Sequence, residues 1–344
     1  MPKFRSISGE RDWIEALRSQ YNGSAGVRLG MGDDCAVLRP PRGHEVLVTT
    51  DFTLETVHFR RNWHPPESVG HRCLARGLSD LAAMGAQPLA AFLSLALPVE
   101  LVRSRRGQPA WRDRFLRGFF SLAEKYGVPL AGGDTAQSPV PRGDRAGLAL
   151  ADIVLVGSAL RSRALLRSGA RAGDRIYVTG HLGGAAAELM RLAASPRHFR
   201  GCTQVAGAHP HLFPEPRLAV GAWLLRHRRA TAAIDISDGL STDLDHLCEE
   251  SGLSAVVEAA AIPIHPLAQN LHQALHGGED YELLFTASKE VRVPRRIAGV
   301  AVACIGEMRP RRSRGPRVLL AEEFDGRRHQ RPLAAVGWEH YKNR

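Results

Sequence analysis

Leu29 to Leu38 reads LGMGDDCAVL. Two glycines permit a tight turn, the adjacent carboxylates Asp33 and Asp34 follow, and an apolar run resumes at once, which sets charge at the mouth of a buried strand. Taken alone, such a stretch is a β-turn whose Asp side chains bond nearby backbone amides. It does not stand alone. Further aspartates lie beside Gly, Ser or Thr at the ends of apolar runs: TTD at Thr49 to Asp51, LSD at Leu78 to Asp80, GGDT at Gly132 to Thr135 and IDISDG at Ile234 to Gly239. Repetition within one chain points to a shared acidic site that holds several divalent cations.

Outward from these acids, the chain reads as alternating strands and helices. Asp12 to Tyr21 is a short amphipathic helix ended by Asn22-Gly23, and His44 to Thr50 is a β-branched strand with Asp51 just past its end. Ser68 to Met84 is a helix with Leu74, Leu78 and Leu81 on one stripe and Gly85 as its stop. Asp80 lies beside that stripe, and its ordinary alternative is a surface pair with Arg76 one turn earlier. Ala90 to Leu97 is a strand, Arg112 to Tyr126 a helix closed by Gly127, and the strand into Gly132-Gly133-Asp134 suits backbone amides approaching a phosphate. Ala149 to Val156 is a further strand, and the Arg/Ser-rich stretch Ser158 to Arg163 is the expected domain boundary.

The second half continues with a strand at Arg175 to Thr179, a turn at Gly180 to Gly184 and a helix at Ala185 to Leu192. Residues 196–217 read as irregular. Ala232 to Ile236 is strand-like, Ser237-Asp238-Gly239 a turn and Ser241 to Glu250 a helix, so Asp235 and Asp238 lie where open α/β sheets bind ligands. In Gly277 to Thr286, one of the acids Glu279 and Asp280 caps the turn while the other faces a ligand.

Composition sets the outer limits. A chain of 344 residues with 44% hydrophobic content buries a large core in two domains. No apolar stretch is long enough to span a bilayer and the start lacks the hydrophobic segment of a secretory signal, so a cytoplasmic location is expected. Five cysteines without a CxxC pair argue against a disulfide framework or a zinc site and read as buried, reduced thiols. The formal charge of +11 would favour nucleic acid, but lysine occurs only at Lys3, Lys125, Lys289 and Lys342. The densest basic segment, Pro310 to Arg317, has no aromatic residue to stack on bases and reads as a solvated loop, so no nucleic-acid partner is expected.

The absence of Gly-Lys-Ser/Thr excludes a P-loop, and neither a protein-kinase set nor a Ser-His-Asp arrangement can be assembled. Hard oxygen ligands in number suit Mg2+, and phosphoryl transfer from ATP needs positioning and charge neutralisation more than a covalent nucleophile. The residues by themselves lead to a Mg-dependent ATP enzyme.

The ordered set GMGDDCAVL, TTD, VHF, LSDLAAMGA, GGDT, RSGA, IDISDGL and GGEDYELLFT resembles the thiamine-monophosphate kinase family of the PurM-like ATP-binding superfamily, from about residue 28 to the end. The resemblance implies an α/β chain of two PurM-like domains: an α+β N-terminal domain over 1–158 that carries the metal and ATP site and pairs with its twin in a homodimer, and an α/β C-terminal domain over 159–344. It implies that ATP phosphorylates thiamine monophosphate to thiamine diphosphate. It assigns Mg2+ to Asp34, Thr49, Thr50, Asp51, Asp80, Asp134, Asp235 and Asp238, with Asp51, Asp134 and Asp238 central to catalysis. Gly133, Asp134, Arg167 and Ser237 match ATP contacts, and His58, Glu279 and Trp338 match the positions that hold thiamine phosphate. Two positions depart from the family pattern: Gly77 stands where asparagine is common before LSD, and Thr56 where glycine is common before VHF. Superfamily relatives that make aminoimidazole ribotide, activate selenide or mature hydrogenases are the alternatives, as is a nucleotide sensor without catalysis.

Overall fold

In the computed structural model, residues 14–15, 17–18, 26–104, 108–140, 147–202, 208–311, 314–339 and 341 are described. Most of the helix expected over Asp12 to Tyr21 lies outside them. Contacts divide the chain into two units: residues 1–78, 87–161 and 192–206 form the first, and 79–86, 162–191 and 207–344 the second.

The first unit holds β1 (Val27–Leu29), β2 (Val37–Leu38), β3 (His44–Leu54), β4 (Gln87–Leu97), β5 (Leu130–Gln137) and β6 (Leu150–Leu160). β1 and β2 form a small antiparallel pair, while the main sheet runs in the order β3-β6-β4-β5. Only β4 and β5 are parallel in that sheet. Helices α1 (Pro66–Ala83), α2 (Val99–Val102) and α3 (Trp111–Tyr126) accompany it. Phe115, Leu116, Phe119 and Phe120 of α3 are buried with Leu74 and Leu78 of α1 and Ile153 and Leu155 of β6. The two long helices approach through reciprocal glycines: a Cβ at Gly70 would sit 1.8 Å from the Phe115 carbonyl oxygen, and one at Gly118 would sit 1.8 Å from that of Glu67. Gly127 closes α3, as the sequence anticipated, and does so in the left-handed conformation.

The second unit contains β7 (Arg175–Thr179), β8 (Ala232–Ile236), β9 (Leu253–Glu258), β10 (Glu282–Ala287), β11 (Arg296–Ile297), β12 (Val300–Pro310), β13 (Val318–Phe324) and β14 (Arg327–Pro332). The sheet order is β14-β13-β9-β12-β7-β10-β8, with β11 on β12. All of its pairs are antiparallel except β13 with β9. Its helices are α4 (Gly184–Ala194), α5 (Leu218–Arg226), α6 (Leu240–Glu250) and α7 (Leu271–His276). Ile234, Ile236, Leu240, Leu244, Leu247, Leu284 and Leu320 belong to one continuous buried cluster.

Three expectations need correction. Asp51 lies inside β3, which continues to Leu54, because its partner β6 runs alongside for the full length. β6 extends through Ser158 to Leu160, three residues into the stretch expected as the domain boundary. Of the cysteines, only Cys73 and Cys248 are buried; Cys35 and Cys304 are exposed and Cys202 is intermediate, although all are free thiols.

Candidate active site

In the first unit, the opening stretch and the GGDT stretch line one pocket. It has a volume of about 620 Å³, and its walls include Gly30, Gly32, Asp33, Asp34, Cys35, Gly132, Gly133 and Asp134. Asp33 makes the turn bond: its Oδ1 accepts from the Asp34 amide at 2.9 Å. Asp34 follows this locally bonded acid, and both residues line the pocket. Gly133 has φ +152 and passes so close to β4 that a Cβ would lie 1.9 Å from the Leu93 carbonyl oxygen. Only glycine brings β5 past that point with Asp134 next in line. Asp134 Oδ1 accepts from the Thr135 amide at 2.8 Å.

Thr49, Thr50 and Asp51 are not on this side of the sheet. β3 and β5 are its opposite edges, with β6 and β4 between them. Across the register Asp134, Ser94, Asp152 and Phe52, three strand spacings amount to about 14 Å. Asp51 instead has Arg76 Nε at 3.8 Å from its Oδ1, and the Arg76 guanidinium donates to the Phe52 carbonyl at 2.9 Å. The expected surface partner of Asp80 thus serves Asp51.

His58 sits in the turn that follows β3. The Leu54 amide donates to its Nδ1 at 3.0 Å, which leaves Nε2 to carry the proton of the neutral ring. Arg72 donates to the His58 carbonyl at 2.9 Å. Thr56, in the same turn, has φ +73, a conformation rarely adopted by a β-branched residue. The glycine common in the family matches this backbone. At Gly77, an added Cβ would meet Leu155 Cδ1 at 2.8 Å, so the small residue suits the packing beneath α1.

In the second unit, the end of β8 gathers most of the remaining acids. Asp235 is buried, and its Oδ2 accepts from the Ser79 hydroxyl at 2.7 Å, next to Asp80 in the chain. Asp243, which sequence reasoning passed over, accepts the amides of Ser237, Asp238 and Gly239 on one oxygen at 3.1, 3.1 and 3.0 Å. It is the cap of α6, since Gly239 at the N-cap has no side chain to offer. Burial, then the charges of Asp235 and Asp238, push the Asp243 carboxyl well above the usual range. Ligand atoms of Asp238, Asp243 and His246 lie within 4.8 Å of one another, a spacing that could hold a metal ion.

The same turn receives two other predicted residues. The Trp338 amide donates to the Asp238 carbonyl at 3.0 Å and the Glu279 amide to the Ser237 carbonyl at 2.7 Å. Glu279 has φ +66 and Tyr281 φ +50, with Asp280 between them accepting the Gly183 and Ala185 amides at 2.7 and 3.1 Å. Asp280 is therefore the capping acid of the pair, and it caps a helix a hundred residues distant in sequence, α4. The Arg167 backbone lies by the far end of α6 from this turn. Ser251, just past α6, donates to its carbonyl at 2.6 Å, whereas Ser237 precedes the helix, whose 11 residues span about 16 Å.

The chain matches the family AIR synthase related protein, N-terminal domain, over residues 32–159, and AIR synthase related protein, C-terminal domain, over residues 171–313. Thiamine-monophosphate kinase of Escherichia coli (strain K12) is 38% identical over 300 residues, which cover 82% of this chain and 84% of that relative. The crystal structure of thiamine-monophosphate kinase from Stenotrophomonas maltophilia K279a aligns with TM-score 0.73 and 32% identity over 94% of this chain and 96% of that one. AaThiL complexed with AMPPCP and TMP aligns with TM-score 0.68 and 28% identity over 97% of each chain.

Proposed function

The chain belongs to the thiamine-monophosphate kinase family, and from that premise we infer that it transfers a phosphoryl group from ATP to thiamine monophosphate, giving ADP and thiamine diphosphate. The observation that carries the reading is the kinship over more than four fifths of the chain with kinases of this reaction, including a protein solved with an ATP analogue and TMP.

The 620 Å³ pocket supports a triphosphate site in the first unit, where the Gly132-Gly133 backbone and the Asp34 and Asp134 carboxylates share one wall. Asp34, Thr49, Thr50, Asp51, Asp80, Asp134, Asp235 and Asp238 hold Mg2+ on this reading. The donor set fits, because these are hard oxygens, and beside burial, the main cause of the raised Asp243 pKa, the charges of Asp235 and Asp238 add a repulsion that a divalent cation relieves. When bound, Mg2+ neutralises the crowded phosphate oxygens. The attacking oxygen of thiamine monophosphate is itself largely anionic near neutrality, the second ionisation of such phosphates being about 6, so the chain supplies alignment and no strong base. Catalysis is direct, in-line transfer governed by Asp51, Asp134 and Asp238.

His58, Glu279 and Trp338 hold thiamine monophosphate. An Nε2–H on His58 suits its phosphate, while a carboxylate and an indole suit its cationic and aromatic rings. Gly133, Asp134 and Ser237 contact ATP. Arg167 is assigned to the same ligand on this reading, its guanidinium suited to the phosphates.

The N-terminal PurM-like domain also mediates a homodimer. Val46, Val48, Phe52 and Leu160 expose apolar side chains on strands β3 and β6, and both sheet edges are open among the described residues. A second copy that joins its β5 edge to β3 would bring Asp51 of one copy to the Asp134 edge of the other. The reaction consumes ATP, and on this reading it takes place in the cytoplasm. No helix among the described residues is long and apolar enough to cross a membrane.

The test is ADP release by purified protein with ATP and Mg2+, comparing thiamine monophosphate with free thiamine as acceptor and adding EDTA as a control. Release that requires both the monophosphate and the metal supports the reading. Equal release with thiamine, or none with the monophosphate, overturns it.

A further inference from the structure

The segment just before α5 reads as irregular and rich in His and Pro, yet one of its side chains is among the most deeply buried polar groups of the second unit. His211 is 1% exposed, and its ring Nδ1 lies 3.2 Å from Oε2 of Glu279, within ion-pair range though not aligned as a hydrogen bond. An imidazole is costly to bury without polar contacts, and here the neighbour is a carboxylate. The segment itself is pinned by another buried acid. Glu188 of α4, 2% exposed, accepts the amides of His211 and Leu212 on Oε2 at 2.7 and 3.2 Å, and its Oε1 lies 2.6 Å from His209 Nδ1. Both oxygens of Glu188 are thus committed to fixing where His211 stands.

Glu279 needs such a support. Its backbone is held in the left-handed region by its own amide bond to Ser237, by the Asp280 cap on α4 and by the Tyr281 amide, which donates to the Ile236 carbonyl at 2.9 Å. A fixed backbone still leaves the three side-chain torsions of a glutamate to be set. The carboxylate is partly exposed, with one oxygen toward His211.

We propose that His211 is a positioning residue for substrate recognition: it holds Oε2 of Glu279 so that Oε1 is presented to the cationic, nitrogen-rich end of thiamine monophosphate, with Glu188 setting the position of His211. The proposal rests on the reading of Glu279 as a thiamine-phosphate contact. A preset carboxylate binds without first giving up rotamer freedom, so the effect belongs in the affinity for this substrate.

The experiment compares His211→Phe, His211→Asn, Glu279→Gln and the double variant His211→Phe/Glu279→Gln by steady-state kinetics in both substrates. Asparagine places an amide nitrogen near the position of Nδ1 and serves as the conservative variant if phenylalanine does not fold. The expected result is a KM for thiamine monophosphate raised about tenfold in His211→Phe, with the KM for ATP moving less than twofold and His211→Asn restoring most of the loss. The double variant should be no worse than Glu279→Gln alone. A Glu279→Gln defect with unchanged KM values in both His211 variants overturns the positioning role and leaves Glu279 as a contact. Equal changes in both KM values reduce His211 to a packing residue and likewise overturn it. An unaltered thiamine monophosphate KM in Glu279→Gln removes the underlying reading, and the proposal with it.

Discussion

Arg76 Nε lies 3.8 Å from Asp51 Oδ1, and the same guanidinium donates to the carbonyl of Phe52, the next residue along β3. Arg76 therefore orients the strand edge that carries Thr49, Thr50 and Asp51. From the sequence, truncating Arg76 is expected to matter little if Asp80 is a metal ligand rather than half of a surface pair with it. The geometry changes that expectation: Arg76→Ala should lower turnover and raise the Mg2+ concentration needed for half-maximal rate. Asp51→Asn should cost at least about 100-fold in kcat while the fold persists. Titrating activity against Mg2+ for both variants, with circular dichroism as the folding control, checks this pair. Full turnover by Asp51→Asn at ordinary Mg2+ would remove Asp51 from the site.

The opposite-edge placement of Asp51 and Asp134 gives a second prediction. If one copy supplies β3 and the other β5, Asp51→Asn and Asp134→Asn proteins, each inactive alone, should regain activity when unfolded and refolded as a mixture. Random reassortment yields mixed dimers with one intact pair. Recovered activity in the mixture, together with a dimer mass by light scattering, is the predicted outcome. A monomer, or an inactive mixture of dimers, contradicts it.

Thiol chemistry reports on the pocket. Burial pushes the Cys73 and Cys248 thiols up to about 12, so both are protonated at pH 8 and unreactive until the chain unfolds. Cys35 and Cys304 are exposed and should react first. Cys35 also lines the 620 Å³ pocket, so an ATP analogue with Mg2+ should slow its labelling and leave Cys304 unaffected. Mass spectrometry of the labelled peptides distinguishes them, and protection confined to Cys304 would place the nucleotide elsewhere.

Thr56 carries local strain at φ +73. Thr56→Gly removes the steric cost of the left-handed conformation, about 1 to 2 kcal/mol, while increasing the freedom of the unfolded chain by somewhat less. A net gain of about 0.5 kcal/mol in urea denaturation is expected. A loss of stability would mean that the Thr side chain contributes more than its backbone costs.

How much of this was legible beforehand depends on range in the sequence. The GDD and DISDG turns and the GGDT segment of β5 were visible because glycine, acid and apolar run adjoin one another, and Arg175–Thr179 and Ala232–Ile236 are strands with the expected ends. Asp243 was overlooked although it left a local sign, an acid in the first turn of a helix whose N-cap is glycine. His211 left no such sign, since its contact with Glu279 spans 68 residues and follows only from the fold that packs the segment onto Glu188. The separation of Asp51 from Asp134 was equally hidden, because motif spacing along the chain does not encode strand order. That order, β3-β6-β4-β5, replaces a single pocket in one chain with two edges.

The most direct measurement follows the phosphoryl group itself. Purified protein is supplied with ATP labelled in the γ-phosphate, Mg2+ and thiamine monophosphate, and the products are separated and identified by mass. The account predicts label in the terminal phosphate of thiamine diphosphate, in equal amount to the ADP formed. Label released as inorganic phosphate, or ATP consumed without labelled thiamine diphosphate, would contradict it.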